Sequence, residues 1–118
     1  MTVRFEAAAV AVQREEAFNV EYVVVAQNAD GSGHTLEIQR ALEFDEQDAG
    51  LGMDTYCLVH DVSATHYGGV TAWHVRDRKL TLELDNTAAE QLGAARFVIT
   101  VPEDAQDTIV HALQRLLV

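Results

Sequence analysis

Four side chains could hold a metal or move a proton: Cys57, His60, His66 and His74. They sit in a stretch with no Lys or Arg between Arg40 and Arg76, alongside the acids Glu43, Asp45, Glu46, Asp48, Asp54 and Asp61. Zinc needs ligands that converge on one point. Cys57 and His60 are three apart, so on one strand they face opposite sides. His66 and His74 share a face but lie about 26 Å apart along a straight strand at ~3.3 Å per residue. No metal site is expected from this set. Cys57 with His60 or His66 as base would make a nucleophile pair, but a lone apolar-flanked cysteine is more simply an inert buried thiol.

The acids invite three chemistries. Asp45, Asp48 and Asp54 lack the Asp-x-Asp-x-Asp-Gly spacing and the closing Glu of a calcium loop. A hydrolytic carboxylate pair needs a fixed separation, and nothing here sets one. The third is electrostatic: an acidic surface steers a basic partner toward itself. A merely solvated acidic loop is the plain alternative. Gly31-Ser32-Gly33 has neither Walker spacing nor a following Lys, and no Gly-x-Ser-x-Gly elbow occurs. No cofactor is expected.

Composition narrows the partners. The chain has 118 residues, a net charge of −11 and eight Lys plus Arg. That size fits one domain over 1–118. With so few cations, contact with nucleic acid or an anionic membrane is not expected. The single cysteine excludes an internal disulfide and fits a reducing compartment. The N-terminus lacks a signal-peptide pattern, and no apolar run reaches the ~18 residues of a membrane helix. A cytoplasmic protein is the expectation.

Within the basic-free stretch, Leu-Glu-Phe-Asp-Glu-Gln-Asp (42–48), Leu-Gly-Met-Asp-Thr-Tyr-Cys (51–57) and His-Tyr-Gly-Gly-Val (66–70) resemble the immunity protein 10 family of bacterial polymorphic toxin systems. Leu-Thr-Leu-Glu-Leu-Asp (80–85), Ala-Ala-Glu-Gln-Leu-Gly (88–93) and a closing helix extend the likeness over nearly the whole chain. It is sharpest over 40–69 and loose in the first 30 residues. The resemblance implies a protein that binds and neutralises a toxin without catalysis, and it supplies no contact residues.

The elements that position these groups follow from periodicity. Alternation predicts strands at 2–13, 18–26, 34–42, 54–60, 65–75, 79–85 and 96–101. Asp45-Glu46-Gln47-Asp48 can start one helical turn that Gly50 and Gly52 end. Asp85 or Asn86 caps a helix over 87–92, stopped by Gly93. Ile109, Val110, Leu113, Leu116 and Leu117 predict a terminal helix with one face on a sheet. The result is an α+β fold: a mainly antiparallel sheet of about seven strands, a short helix and a C-terminal helix packed on the sheet.

Two glycines inside a strand, Gly68 and Gly69, predict a bulge or a close approach by another backbone, the acidic loop or a partner strand being the expected cover. On an unbroken strand, Tyr67 and Trp73 would share a face. Exposed, they would anchor an interface; buried, they would be core. The expectation is an immunity protein that captures a cognate toxin domain, a basic nuclease being one candidate. The expected contact residues are Glu43, Asp45, Glu46, Asp48, Asp54, Tyr67 and Trp73. A small metal-dependent hydrolase and a self-associating subunit, such as a homodimer, are the alternatives.

Overall fold

Val3 and Phe5 alternate with exposed neighbours and form β1 (Thr2–Glu6), but the alternation does not continue in the same sheet. The computed structural model describes residues 1–117. At Ala7 and Ala8 the chain changes sheets. Ala7 N–H donates to Thr100 O at 2.8 Å in one sheet, and Ala8 N–H donates to Ala26 O at 2.9 Å in the other. β2 (Ala9–Glu15) then pairs antiparallel with β3 (Val20–Ala26). The single strand expected over 2–13 is therefore two, because small alanines at the switch let the backbone cross between layers.

β4 (Thr35–Ala41), β5 (Cys57–His60) and β6 (Ala64–Tyr67) complete a five-stranded sheet in the order β2-β3-β4-β5-β6. β7 (Val70–Arg76), β8 (Lys79–Leu84) and β9 (Arg96–Thr100) join β1 in a second sheet, ordered β1-β9-β8-β7. Only β1 and β9 pair in parallel among the described strands. The described residues thus hold nine strands, against about seven expected, in two mainly antiparallel sheets, and the α+β class stands.

The second split falls at Gly68 and Gly69, whose φ values are 73° and 97°. The strand expected over 65–75 ends at Tyr67 and restarts at Val70 in the other sheet. A tight corner of positive φ is natural for glycine. What approaches Gly69 is neither the acidic loop nor a strand but α2 (Asn86–Leu92). A Cβ on Gly69 would lie 2.5 Å from the Ala88 Cβ. Asp85 N–H, just before this helix, donates to Gly69 O at 2.8 Å.

α2 begins as its sequence dictates. The Asp85 carboxylate accepts from Ala88 N–H at 2.8 Å, and Gly93 ends the helix at φ 74°. In the acidic segment the capping pair of Asp45 and Asp48 forms α1 (Glu46–Gly50), the single turn expected there. α3 (Gln106–Leu116) buries Ile109, Ala112, Leu113 and Leu116 against β3 and its neighbours. It is pinned by Arg115, whose guanidinium donates two hydrogen bonds to the buried Glu21 carboxylate, at 2.9 and 2.7 Å. Between the sheets, Leu36, Ile38 and Leu58 meet Leu80, Leu82, Phe97 and Ile99, all 0 or 1% exposed.

The two glycines of the corner make different demands. A Cβ on Gly68 would meet only Thr55 Cγ2, at 3.8 Å. Gly68→Ala is expected to cost about 1–2 kcal/mol for the left-handed backbone alone. Gly69→Ala adds the collision with Ala88 and is expected to cost about 2–4 kcal/mol. Urea denaturation of both variants checks this ordering, and equal costs would refute the close-approach account.

Candidate interaction surface

Cross-strand register assigns every residue of the five-stranded sheet to one of two faces. One face turns inward and carries Val10, Val12, Glu21, Val23, Val25, Leu36, Ile38, Leu58, His60 and His66. The other holds two parallel rows across the strands. One row reads Gln13, Tyr22, Gln39, Cys57, Tyr67 and the next reads Ala11, Val24, Glu37, Val59, Thr65. Val20, Tyr22, Val24 and Val59 are half-buried there, and Tyr67 is 41% exposed. No Lys, Arg or His lies on this outer face.

Glu37 stands near the middle, between Val24 and Val59. It makes no hydrogen bond or ion pair among the described residues, and burial pushes its carboxyl up. Tyr22 Oη donates to Glu15 at 3.4 Å; burial, then Glu15 and Glu37, raises the phenol. Tyr67 is raised by burial, then by Cys57 and Asp48. The neighbourhood as a whole is electronegative and partly dry, a setting that favours an incoming cation.

The acidic segment borders this face. Asp48 N–H donates to Asp45 Oδ1 at 2.8 Å, and Asp45 N–H donates to Asp48 Oδ2 at 3.1 Å. These two acids therefore hold α1 together as well as carrying charge. Glu43 is tied through its backbone to the Asn19 side chain at 2.9 Å in both directions. Glu46 and Asp54 are exposed, as are the apolar Leu51 and Met53 beside them. Met53 joins Val20, Gln39, Arg40, Cys57 and Tyr67 around a small depression where segment and sheet meet.

Trp73 is elsewhere. The corner at Gly68 and Gly69 places it on β7, the edge of the other sheet, in register with Leu82 and packed against the core. Tyr67 and Trp73 therefore share no face, which corrects the expectation drawn from an unbroken strand. The outer face of that second sheet carries Arg4, Arg76, Lys79 and Arg96, half of the chain's eight Lys and Arg, with Glu6 and Glu83 among them. Arg96 pairs with Glu83 at 2.7 Å. Sequence reasoning missed the Glu37 face because it is assembled by pairing between separate strands.

The proton-moving residues do not converge. Cys57 lies on the outer face while His60 and His66 lie on the inner, so the sheet separates the thiol from either base. Burial raises the Cys57 thiol, which makes it a poorer nucleophile. His74 is on the outer face of the other sheet. A different trio does meet. His34, just before β4, and Asp61, in the β5–β6 turn, approach His60 from two sides, one ligand atom from each lying within 4.8 Å of the others.

The described residues present a broad outer sheet face without Lys, Arg or His on an α+β scaffold. The family model for immunity protein 10 matches residues 6–108, and the chain belongs to that family. The match runs from the end of β1 into α3 and so takes in both sheets. No curated protein and no solved structure matches the chain. Membership gives it a toxin-neutralising immunity role, and immunity families are typically non-enzymatic. No described helix is long and apolar enough to cross a membrane.

Glu37 gives a test of the face. Its folded pKa lies above the ordinary value of 4.5. The native state therefore favours the protonated form, and a destabilising contribution appears as pH rises from 4.5 through the raised value. Glu37→Gln is expected to be more stable than the parent at pH 7, with the advantage fading below pH 4.5. Denaturation curves at both pH values decide it; a loss of stability at pH 7 would mean that Glu37 has a stabilising partner.

Proposed function

We propose that this protein neutralises a cognate toxin by covering a basic surface of it with the outer face of the five-stranded sheet and the acidic segment at its margin. The observation that carries the reading is the cation-free face with unpaired Glu37 near its centre. Carboxylates are held where cations are absent, while Arg4, Arg76, Lys79 and Arg96 lie on the opposite outer face. A carboxylate kept half-buried without a partner costs stability, and such costs are retained where function uses the group.

The roles follow from position. Glu43, Asp45, Glu46, Asp48 and Asp54 steer a basic partner, such as the nucleic-acid groove of a nuclease, toward the face. Tyr22 and Tyr67 supply rigid aromatic area, and Glu37 receives an Arg or Lys of the toxin as water leaves. Trp73 serves the core of the other sheet. Self-association through this face is disfavoured, because a two-fold pairing would bring Glu37 near its copy in a drying interface. The encounter takes place in the cytoplasm, where a toxin would find its target.

The test uses the cognate toxin domain, recovered by capture with the tagged protein from source cells, and surface plasmon resonance over a salt series. Glu46→Gln with Asp54→Asn, which leaves the α1 capping pair intact, is expected to slow association and flatten its salt dependence. Tyr67→Ala and Glu37→Arg are expected to speed dissociation by at least about tenfold, the scale of a lost interface anchor. Retained affinity in Glu37→Arg, together with loss in Lys79→Glu or Arg96→Glu, would move the contact to the other sheet and sink the assignment.

A further inference from the structure

His60 is the starting point. Its side chain is 9% exposed, and its Nδ1 lies 2.7 Å from Leu92 O at the end of α2. A carbonyl oxygen can only accept, so Nδ1 carries the proton and the neutral ring offers a lone pair at Nε2. That Nε2 is buried and makes no hydrogen bond among the described residues. It nevertheless sits 3.2 Å from Asp61 Oδ2, off the line a hydrogen bond requires. A lone pair this close to a carboxylate is unfavourable unless a cation comes between them.

The other two groups are placed to share that cation. His34 Nδ1 lies 3.3 Å from both carboxylate oxygens of Asp61. Asp61 is fixed by Thr35 N–H at 3.0 Å. The His34 ring is set by stacking between Phe5, at 5.8 Å, and His60, at 5.9 Å. Phe97 meets the far side of His60 edge-on at 4.9 Å.

We propose that His34, His60 and Asp61 form a binding site for one divalent transition-metal ion of the zinc class. Two imidazoles and a carboxylate are a donor set that suits zinc or cobalt over calcium or magnesium. In a tetrahedral site with ligand bonds near 2.0–2.1 Å, adjacent donor atoms are about 3.4 Å apart. The separations of 3.3 and 3.2 Å from Asp61 to the two histidines fit that edge, and the two histidine nitrogens, within 4.8 Å of each other, would close up around the ion. The carbonyl behind His60 fixes the tautomer that leaves Nε2 free, the arrangement metal-bound histidines use. Side chains of His34 and Asp61 are 44% and 43% exposed, which gives an entry path and an open fourth position.

The ion would act as a clip. It joins the start of β4, the β5–β6 turn and, through His60, the end of α2, three segments far apart in sequence. It stabilises only the folded chain, because the ligands come together only there. This site lies on the inward side of the sheet and does not depend on the toxin-binding face.

The test is calorimetric titration of Zn²⁺ into the full chain after chelator treatment, with Co²⁺ absorption as a second probe of four-coordinate geometry. The expected result is one Zn²⁺ per chain, visible bands with Co²⁺, and a raised Tm. His34→Ala and Asp61→Asn, both at part-exposed positions, should each weaken binding by at least about tenfold, the scale at which even supporting partners act, with folding of each variant checked by its Tm without metal. His74→Ala and His111→Ala should bind like the parent. No saturable binding up to on the order of 1 mM, or parental affinity in His34→Ala, would overturn the site and leave a hydrogen-bonded His–Asp–His group.

Discussion

The approach of Gly69 to Ala88 is the contact on which the architecture depends. Only a residue without a Cβ, in a left-handed conformation, lets the chain turn out of one sheet and into the next against a helix. That turn makes β6 and β7 edges of two different sheets although they are neighbours in sequence. It also fixes the start of α2 through Asp85 and Gly69 O, and hence the end of α2, whose Leu92 carbonyl orients His60. A second crossing at Ala7 and Ala8 does the same work at the other side of the core without needing glycine.

Once the sheets are separated, charge is sorted by geometry. Arg14, Arg40 and Arg115 gather near the ion-paired end of the five-stranded sheet. Arg40 donates to Leu116 O at 3.3 Å and Arg115 holds Glu21. The remaining Lys and Arg lie on the other sheet's outer face or in the Asp77–Arg78 turn. The outer face of the five-stranded sheet is left with carboxylates, phenols and valines. A net charge of −11 says nothing of where the charge lies; the segregation is what the proposed binding of a basic partner rests on.

Stability and role pull against each other at two places. Glu37 is half-buried, burial pushes its carboxyl up, and it has no hydrogen-bond or ion-pair partner among the described residues. His60 is buried with an unsatisfied nitrogen. A core optimised for stability alone would have filled either position with an apolar side chain. These are the two positions where the proposed toxin contact and the proposed ion would supply what the chain lacks.

Local pattern fixed much of this chain. The α2 cap at Asp85, its stop at Gly93, the alternating Leu80, Leu82 and Leu84, and the apolar stripe of α3 were legible because each depends on a few neighbouring residues. The acidic single turn was legible for the same reason. The places where the chain leaves one sheet for the other were not. Alternation runs unbroken through Ala7–Ala8 and nearly so through Gly68–Gly69, and period two says which face a residue takes but not which sheet. For the same reason Tyr67 and Trp73 looked like one aromatic pair, Glu37 looked like an ordinary strand glutamate, and His34 and Asp61 gave no sign of meeting His60. The sequence by itself determined class, charge and helix ends, which are short-range properties. Tertiary structure alone decided the contact face and the histidine cluster, because both are made by residues that only sheet register and a glycine corner bring together.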